Sequence, residues 1–217
     1  MYRLADDETV IIQVGARKTS FQVHKNLLCD VSPFFRAGFS GGFKEASDKA
    51  MQLPEDDAYT FQRFVSWLYT RKYGLSGCGT ELETNRRYLQ LARLYVISDK
   101  FGINSLKNKI IDQLFSTKKM AGLYPPSQAT ISFMYANSAR GSAFRKLLVD
   151  WHVWHVEDEY FSRPRTVDIY ASVPDFAAEL AVALGQRIAN PKLQSLFLGD
   201  SSALYESTNT ESDNTRG

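Results

Sequence analysis

The 217-residue chain is short of the residues that most often announce a chemistry. Its two cysteines, Cys29 and Cys78, are too few for a disulfide framework and lack the spacing of a zinc site; a reducing compartment suits both. An excess of one charge is also missing. Lys and Arg total 26 against 24 Asp and Glu, and a net charge of +2 gives no reason to expect nucleic acid or a membrane surface as partner. No run approaches the ~18 consecutive apolar residues that span a bilayer. The opening Met1-Tyr2-Arg3-Leu4-Ala5-Asp6-Asp7-Glu8 has no apolar signal-peptide core, so the expected location is the cytoplasm, the nucleus or both. Phosphate loops are wanting too: GLSGCG at 74–79 ends without Lys-Ser/Thr and no βα unit surrounds it. There is no internal repeat of fixed period and no zinc-finger spacing.

What is present is a core. Hydrophobic residues make up 44%, aromatics 13% and charged residues 23%, the mixture of a soluble globular protein. Charge divides unevenly: residues 1–120 carry 18 basic and 13 acidic side chains, 121–198 seven of each, and 199–217 one basic and four acidic. The last stretch, GDSSALYESTNTESDNTRG, has almost nothing apolar to bury and is expected to be a disordered tail. Pro125 and Pro126 stop any helix that precedes them. The expected organisation is a first domain over 1–118, a helical extension over 119–198 and the tail over 199–217.

The first domain begins with strands and ends with helices. Val10-Ile11-Ile12-Gln13-Val14 is a β-branched run, Gly15-Ala16-Arg17-Lys18 offers a turn, and Thr19 to Val23 resumes extended, which together predict a hairpin. A helical turn is expected over His24 to Asp30. Ser32 as N-cap and Pro33 at the first helical position start the next helix, to Phe39. Ala50-Met51-Gln52-Leu53 predicts a third strand. Asp56 or Asp57 caps a helix whose Phe61, Phe64, Val65, Leu68 and Tyr69 form one apolar stripe. Thr84 is the expected N-cap of the following helix, Gly102 its left-handed end, and Asn104 or Ser105 the cap of one more. Too few strands for β-α-β alternation predict an α+β fold, a small mixed sheet flanked by helices, with an all-α extension.

These residues carry a family resemblance. FQVHKNLLCDVSPFFRAGFSGGFKEAS, MQLPEDD with the Phe61 stripe and WLYTRKY, and LARLYVISDKFGINSLKNKI resemble, in order, the signature segments of a BTB/POZ domain. The helical part, with RGSAFRKLLVDWHVWH and PDFAAELAVALGQRI, resembles the extension of filamentous-fungal members. The chain departs from the pattern at Glu8 and Thr9, where many members have an Asp associated with dimerisation, and at Ser98, where the motif has Ala. The resemblance implies a non-enzymatic protein-interaction module that forms a homodimer. By it, Phe43-Lys44-Glu45 looks like the hydrophobic-x-Glu motif with which some members engage the cullin scaffold of a ubiquitin ligase, which implies a substrate adaptor.

The residues themselves point to the same loop. Gly41 and Gly42 free the backbone beside Phe43, whose ring gains free energy only by packing on its own domain or on a partner. Phe39 and Tyr73 join Phe43 and Glu45 as expected partner-binding residues. The competing reading is a small metal- or thiol-dependent hydrolase. His152 and His155, at i and i+3 with Glu157, Asp158 and Glu159 following, make half a metal site, and Cys29 lies five residues after His24. A packed aromatic helix around Trp151 and Trp154 and a buried thiol account for the same residues. No cofactor is expected. The basic pairs Arg71-Lys72, Arg86-Arg87 and Lys118-Lys119 have no aromatic platform between them and are expected to be solvated.

Overall fold

Alternation of buried and outward residues builds the sheet. In Thr9–Val14 (β1) the side chains of Val10, Ile12 and Val14 are buried, while Ile11 faces outward. Thr19–His24 (β2) pairs antiparallel with β1, Ile12 opposite Phe21, and Ala50–Leu53 (β3) pairs parallel with its other edge, Ile12 opposite Met51. The order β2-β1-β3 makes a mixed three-stranded sheet, and with the helices around it the fold is α+β. The computed structural model describes residues 8–121, 124–155 and 164–208. It separates into two units, Met1–Gly74 with Ile97–Asn104 and Leu75–Val96 with Ser105–Gly217.

The first unit holds the sheet, the helices Lys25–Val31 (α1), Pro33–Ser40 (α2), Lys44–Asp48 (α3) and Ala58–Thr70 (α4), and the end of Glu81–Lys100 (α5). Its core is aromatic. Phe35 packs on Phe39, Phe64 and Phe101, with Phe101 at 4.7 Å between ring centroids, and Phe21 of β2 meets Phe61 of α4 at 5.0 Å. Ser32, fully buried, caps α2 by accepting from the Phe35 N–H at 3.2 Å and donates to the Phe101 carbonyl at 2.7 Å. Pro33 follows at the first helical position, as its missing N–H allows. Asp57, of the two possible caps, starts α4 by accepting from Thr60 N–H at 2.9 Å. Gly102 turns left-handed at φ +69°, and a Cβ there would stand 3.3 Å from the Pro33 ring, so its lack of a side chain serves the turn and the packing together.

The second unit holds the rest of α5, Asn104–Ala121 (α6), Gln128–Asn137 (α7), Ala143–Trp154 (α8), Pro164–Ser172 (α9) and Pro174–Ala189 (α10), with short 3₁₀ turns at Leu196–Leu198 and Ser201–Leu204. The expected cap of α5 is displaced. The helix begins at Glu81 behind a reciprocal pair: Thr80 Oγ1 accepts from Glu83 N–H at 3.2 Å, and the Glu83 carboxylate accepts from Thr80 N–H at 3.1 Å. Thr84 is buried within the helix. Arg145, also buried, ties α8 to the end of α7 by donating to the carbonyls of Tyr135 at 2.6 Å and Ser138 at 2.7 Å. Residues 200–206 are bonded to α6, whereas composition predicts a tail from 199; polar anchors replace the apolar ones the sequence lacks. Residues 209–217 lie outside the described residues.

Removing the Ser32 hydroxyl orphans a buried carbonyl and uncaps a helix at once. The Ser32→Ala chain should unfold in urea with about 1–3 kcal/mol less stability than the wild type; an unchanged midpoint would show the hydroxyl to be dispensable.

Candidate functional site

The stretch after α2 presents one aromatic ring to solvent. Gly41 ends the helix in extended backbone, and a Cβ there would lie 2.9 Å from the Ala37 carbonyl and 3.0 Å from the Phe43 ring. Only glycine leaves room for that approach. Phe43 then takes the extended N-cap position of α3 and stays 62% exposed. Glu45 sits half-buried in the first turn of α3, its backbone carbonyl accepting from Lys49, which closes the helix at a left-handed φ of 50°. Phe43 and Glu45 are thus held on one short, bonded turn.

The two other aromatic expectations are corrected. Phe39 falls four residues after Phe35, on the same helical stripe, and is 2% exposed against it. Tyr73 is 9% exposed, with its carbonyl accepting from Arg63 at 2.8 Å. Neither ring is presented to a partner; both belong to the first unit's core.

The histidines serve the structure. His24 closes β2 through Tyr69, whose hydroxyl lies 2.6 Å from Nδ1 and also accepts the His24 backbone N–H. His152 is fully buried against Phe176; its Nδ1 stands 2.8 Å from the Leu148 carbonyl and must carry the proton, since a carbonyl only accepts. Burial brings its pKa down to about 4. His155 takes a different partner. Ser195 donates to Asp150 at 2.6 Å, so its oxygen receives His155 Nε2–H at 2.9 Å. With serine between the acid and the imidazole, the order suits a latch on the Leu196–Leu198 turn rather than activation of a nucleophile. Asp150 also accepts from Leu196 N–H. Glu157, Asp158 and Glu159 lie outside the described residues.

Cys29 is half-buried, its thiol near the Phe35 carbonyl at 3.8 Å, and burial pushes its pKa up, away from the thiolate a nucleophile requires. Two of the basic side chains expected in solvent are engaged instead. Arg87 donates to Ser76 O at 2.8 Å, Thr117 Oγ1 at 2.8 Å and Gln113 Oε1 at 3.0 Å, fastening the GLSGCG loop to α6. Lys118 lies over the rings of Phe197 at 5.2 Å and Trp151 at 5.7 Å.

Among known proteins, the model of the BTB/POZ domain matches residues 3–116. The chain belongs to the BTB/POZ domain family. It is 26% identical over 151 residues to Kelch repeat and BTB domain-containing protein 8 of Xenopus tropicalis, covering 58% of this chain and 25% of the relative. It is 41% identical over 61 residues to human Kelch-like protein 38, covering 28% of this chain and 10% of the relative. The chain therefore spans a quarter or less of the length of these curated relatives.

At the start of the BTB/POZ domain, Glu8 occupies the position where the resemblance expects Asp. Its carboxylate bridges Lys49 at 2.7 Å and Lys25 at 3.1 Å, and these two ammonium groups hold its pKa below the usual carboxylate range. Beyond the matched residues, in the second unit, α8, α10 and residues 193–196 enclose a cleft of about 550 Å³ with Val149, Val153, Trp154, Val182 and Leu196 on its walls. Sequence periodicity gave no sign of it, because a cleft between helices depends on how their stripes meet.

His152 makes stability depend on pH. The unfolded chain takes up a proton on this ring below about pH 6.5, while the folded chain refuses it until about pH 4. The contribution present above pH 6.5 is lost as pH falls through that window, by about 3 kcal/mol at most. Urea unfolding at pH 7.5 and pH 4.5 should show a steeper loss for the wild type than for His152→Met; equal losses would remove His152 as the cause.

Proposed function

We propose that this BTB/POZ chain is an adaptor that binds the cullin scaffold of a ubiquitin ligase through Phe43 and Glu45 and pairs with a second copy of itself. The observation that carries the reading is the exposed Phe43 ring on the bonded turn that opens α3. An apolar ring fixed above a polar loop forms an anchor that loses little freedom on binding. Glu45, one residue beyond the intervening Lys44, supplies a carboxylate beside it. The similarity to Kelch-type proteins supports the same reading. We further propose that residues 119–198 act as a helical extension of the BTB/POZ domain, and that the chain works in the cytoplasm, the nucleus or both.

Phe43→Ala removes the anchor and leaves the core untouched. Purified cullin scaffold should be retained by the immobilised wild-type chain and at least tenfold less by Phe43→Ala; equal retention, or none by either, would end the adaptor reading. Pairing is tested separately. Light scattering at high concentration should give twice the 24.6 kDa of one chain, and a mass of 24.6 kDa would leave the module monomeric.

A further inference from the structure

Residues 200–206 lie along α6 as a bound peptide would. Asn108, itself buried, reads the backbone of Glu206 from both sides: its Nδ2 donates to the Glu206 carbonyl at 2.9 Å, and its Oδ1 accepts from the Glu206 N–H at 2.8 Å. Such a doubled bond recognises an extended strand of any sequence. The side chains supply the selection. Lys107, whose side chain is only 8% exposed and lies over the Tyr95 ring at 5.3 Å, pairs with the Glu206 carboxylate at 3.1 Å. A cation so far withdrawn from water favours an anionic ligand. One turn on, the Asp112 carboxylate accepts from the Tyr205 hydroxyl, and from Ser201 Oγ at 2.8 Å.

Part of this strap stays in solvent. Tyr205 is 41% exposed, and Ser202 and Ala203 face solvent. Polar bonds formed against water return only a small net gain, while ordering seven residues costs backbone entropy. With the strap in place Lys107 and Asn108 are buried and Asp112 is half-buried.

We propose that Lys107, Asn108 and Asp112 form a recognition site for an extended protein segment carrying tyrosine followed by an acidic residue, and that Tyr205-Glu206 occupies this site in cis. The occupant in trans is a Tyr-acidic segment of a partner protein. The strap acts as a tethered competitor, and because a short tether gives an effective concentration in the millimolar range, only a tighter or multivalent partner displaces it. This surface is independent of Phe43, so it stands or falls apart from the adaptor reading.

The test uses the full chain and a fluorescein-labelled peptide of the sequence GDSSALYEST, residues 199–208. In the double variant Tyr205→Ala/Glu206→Lys the strap no longer matches the site, and fluorescence anisotropy should show the peptide binding at least tenfold tighter than to the wild type. Adding Lys107→Met should abolish that gain. Where Lys107→Met fails to fold, a peptide carrying Ala-Lys in place of Tyr-Glu makes the same check on an intact chain and should not bind. Equal binding of GDSSALYEST by wild type and double variant, or binding by neither, would overturn the proposal. So would a wild-type dimer that Glu206→Lys dissolves, since that would assign the site to the strap of a second copy.

Discussion

Ser32 joins positions 69 residues apart in the chain. Its hydroxyl accepts from the first turn of α2 and donates to the Phe101 carbonyl, and both bonds are sealed from water. A hydroxyl used in both directions has strict directional requirements, so α2 and the end of α5 have fixed positions relative to each other. The aromatic cluster of Phe35, Phe64 and Phe101 depends on that placement, and so does the close approach of Gly102 to Pro33. Phe39 then anchors the far end of α2 in the same core. The loop bearing Phe43 leaves from a helix secured at both ends, which gives an exposed ring a defined direction.

The second unit also packs aromatics, Trp151 against Tyr88 at 5.7 Å and Phe197 at 5.4 Å, and adds charged side chains that tie its helices together. Arg145 lies over the Tyr135 ring at 4.2 Å while donating to two carbonyls, and Tyr135 in turn donates to Glu179 at 2.5 Å. Burial and the neighbouring carboxylate push the Tyr135 pKa up, so the phenol remains a donor throughout the physiological range. Asp150 holds the Leu196–Leu198 turn through Ser195 and a backbone amide. Each link uses the planar or multidentate geometry of its group, so Lys would not substitute for Arg145 or Arg87.

Much of the first unit was legible in the sequence because short-range chemistry decides it. A β-branched run marks β1, the short Ala50–Leu53 run marks β3, Ser32-Pro33 and one of Asp56 and Asp57 start their helices, and the Phe61 stripe marks α4. Phe39 and Tyr73 misled because a ring next to a loop reads as exposed until its long-range neighbours are known. Thr80 and Glu83 form a local Thr-x-x-Glu signal that starts α5 ahead of Thr84. The histidines and the basic pairs were ambiguous for a deeper reason: whether a polar side chain is solvated or engaged depends on partners 30 to 45 residues away, as with Arg87 and Thr117 or Asp150 and Ser195. The bonds of residues 200–206 to α6 are hidden on the same ground, since composition counts apolar area and not hydrogen-bond complementarity.

Gly41 and Gly42 are adjacent and unlike. A side chain at 41 would collide with the Ala37 carbonyl and the Phe43 ring, while one at 42 would meet nothing within 4 Å. Position 42 is therefore an open socket beside the exposed aromatic, where a photo-crosslinking or fluorescent amino acid could be installed to report on whatever covers Phe43 without altering the backbone that presents it.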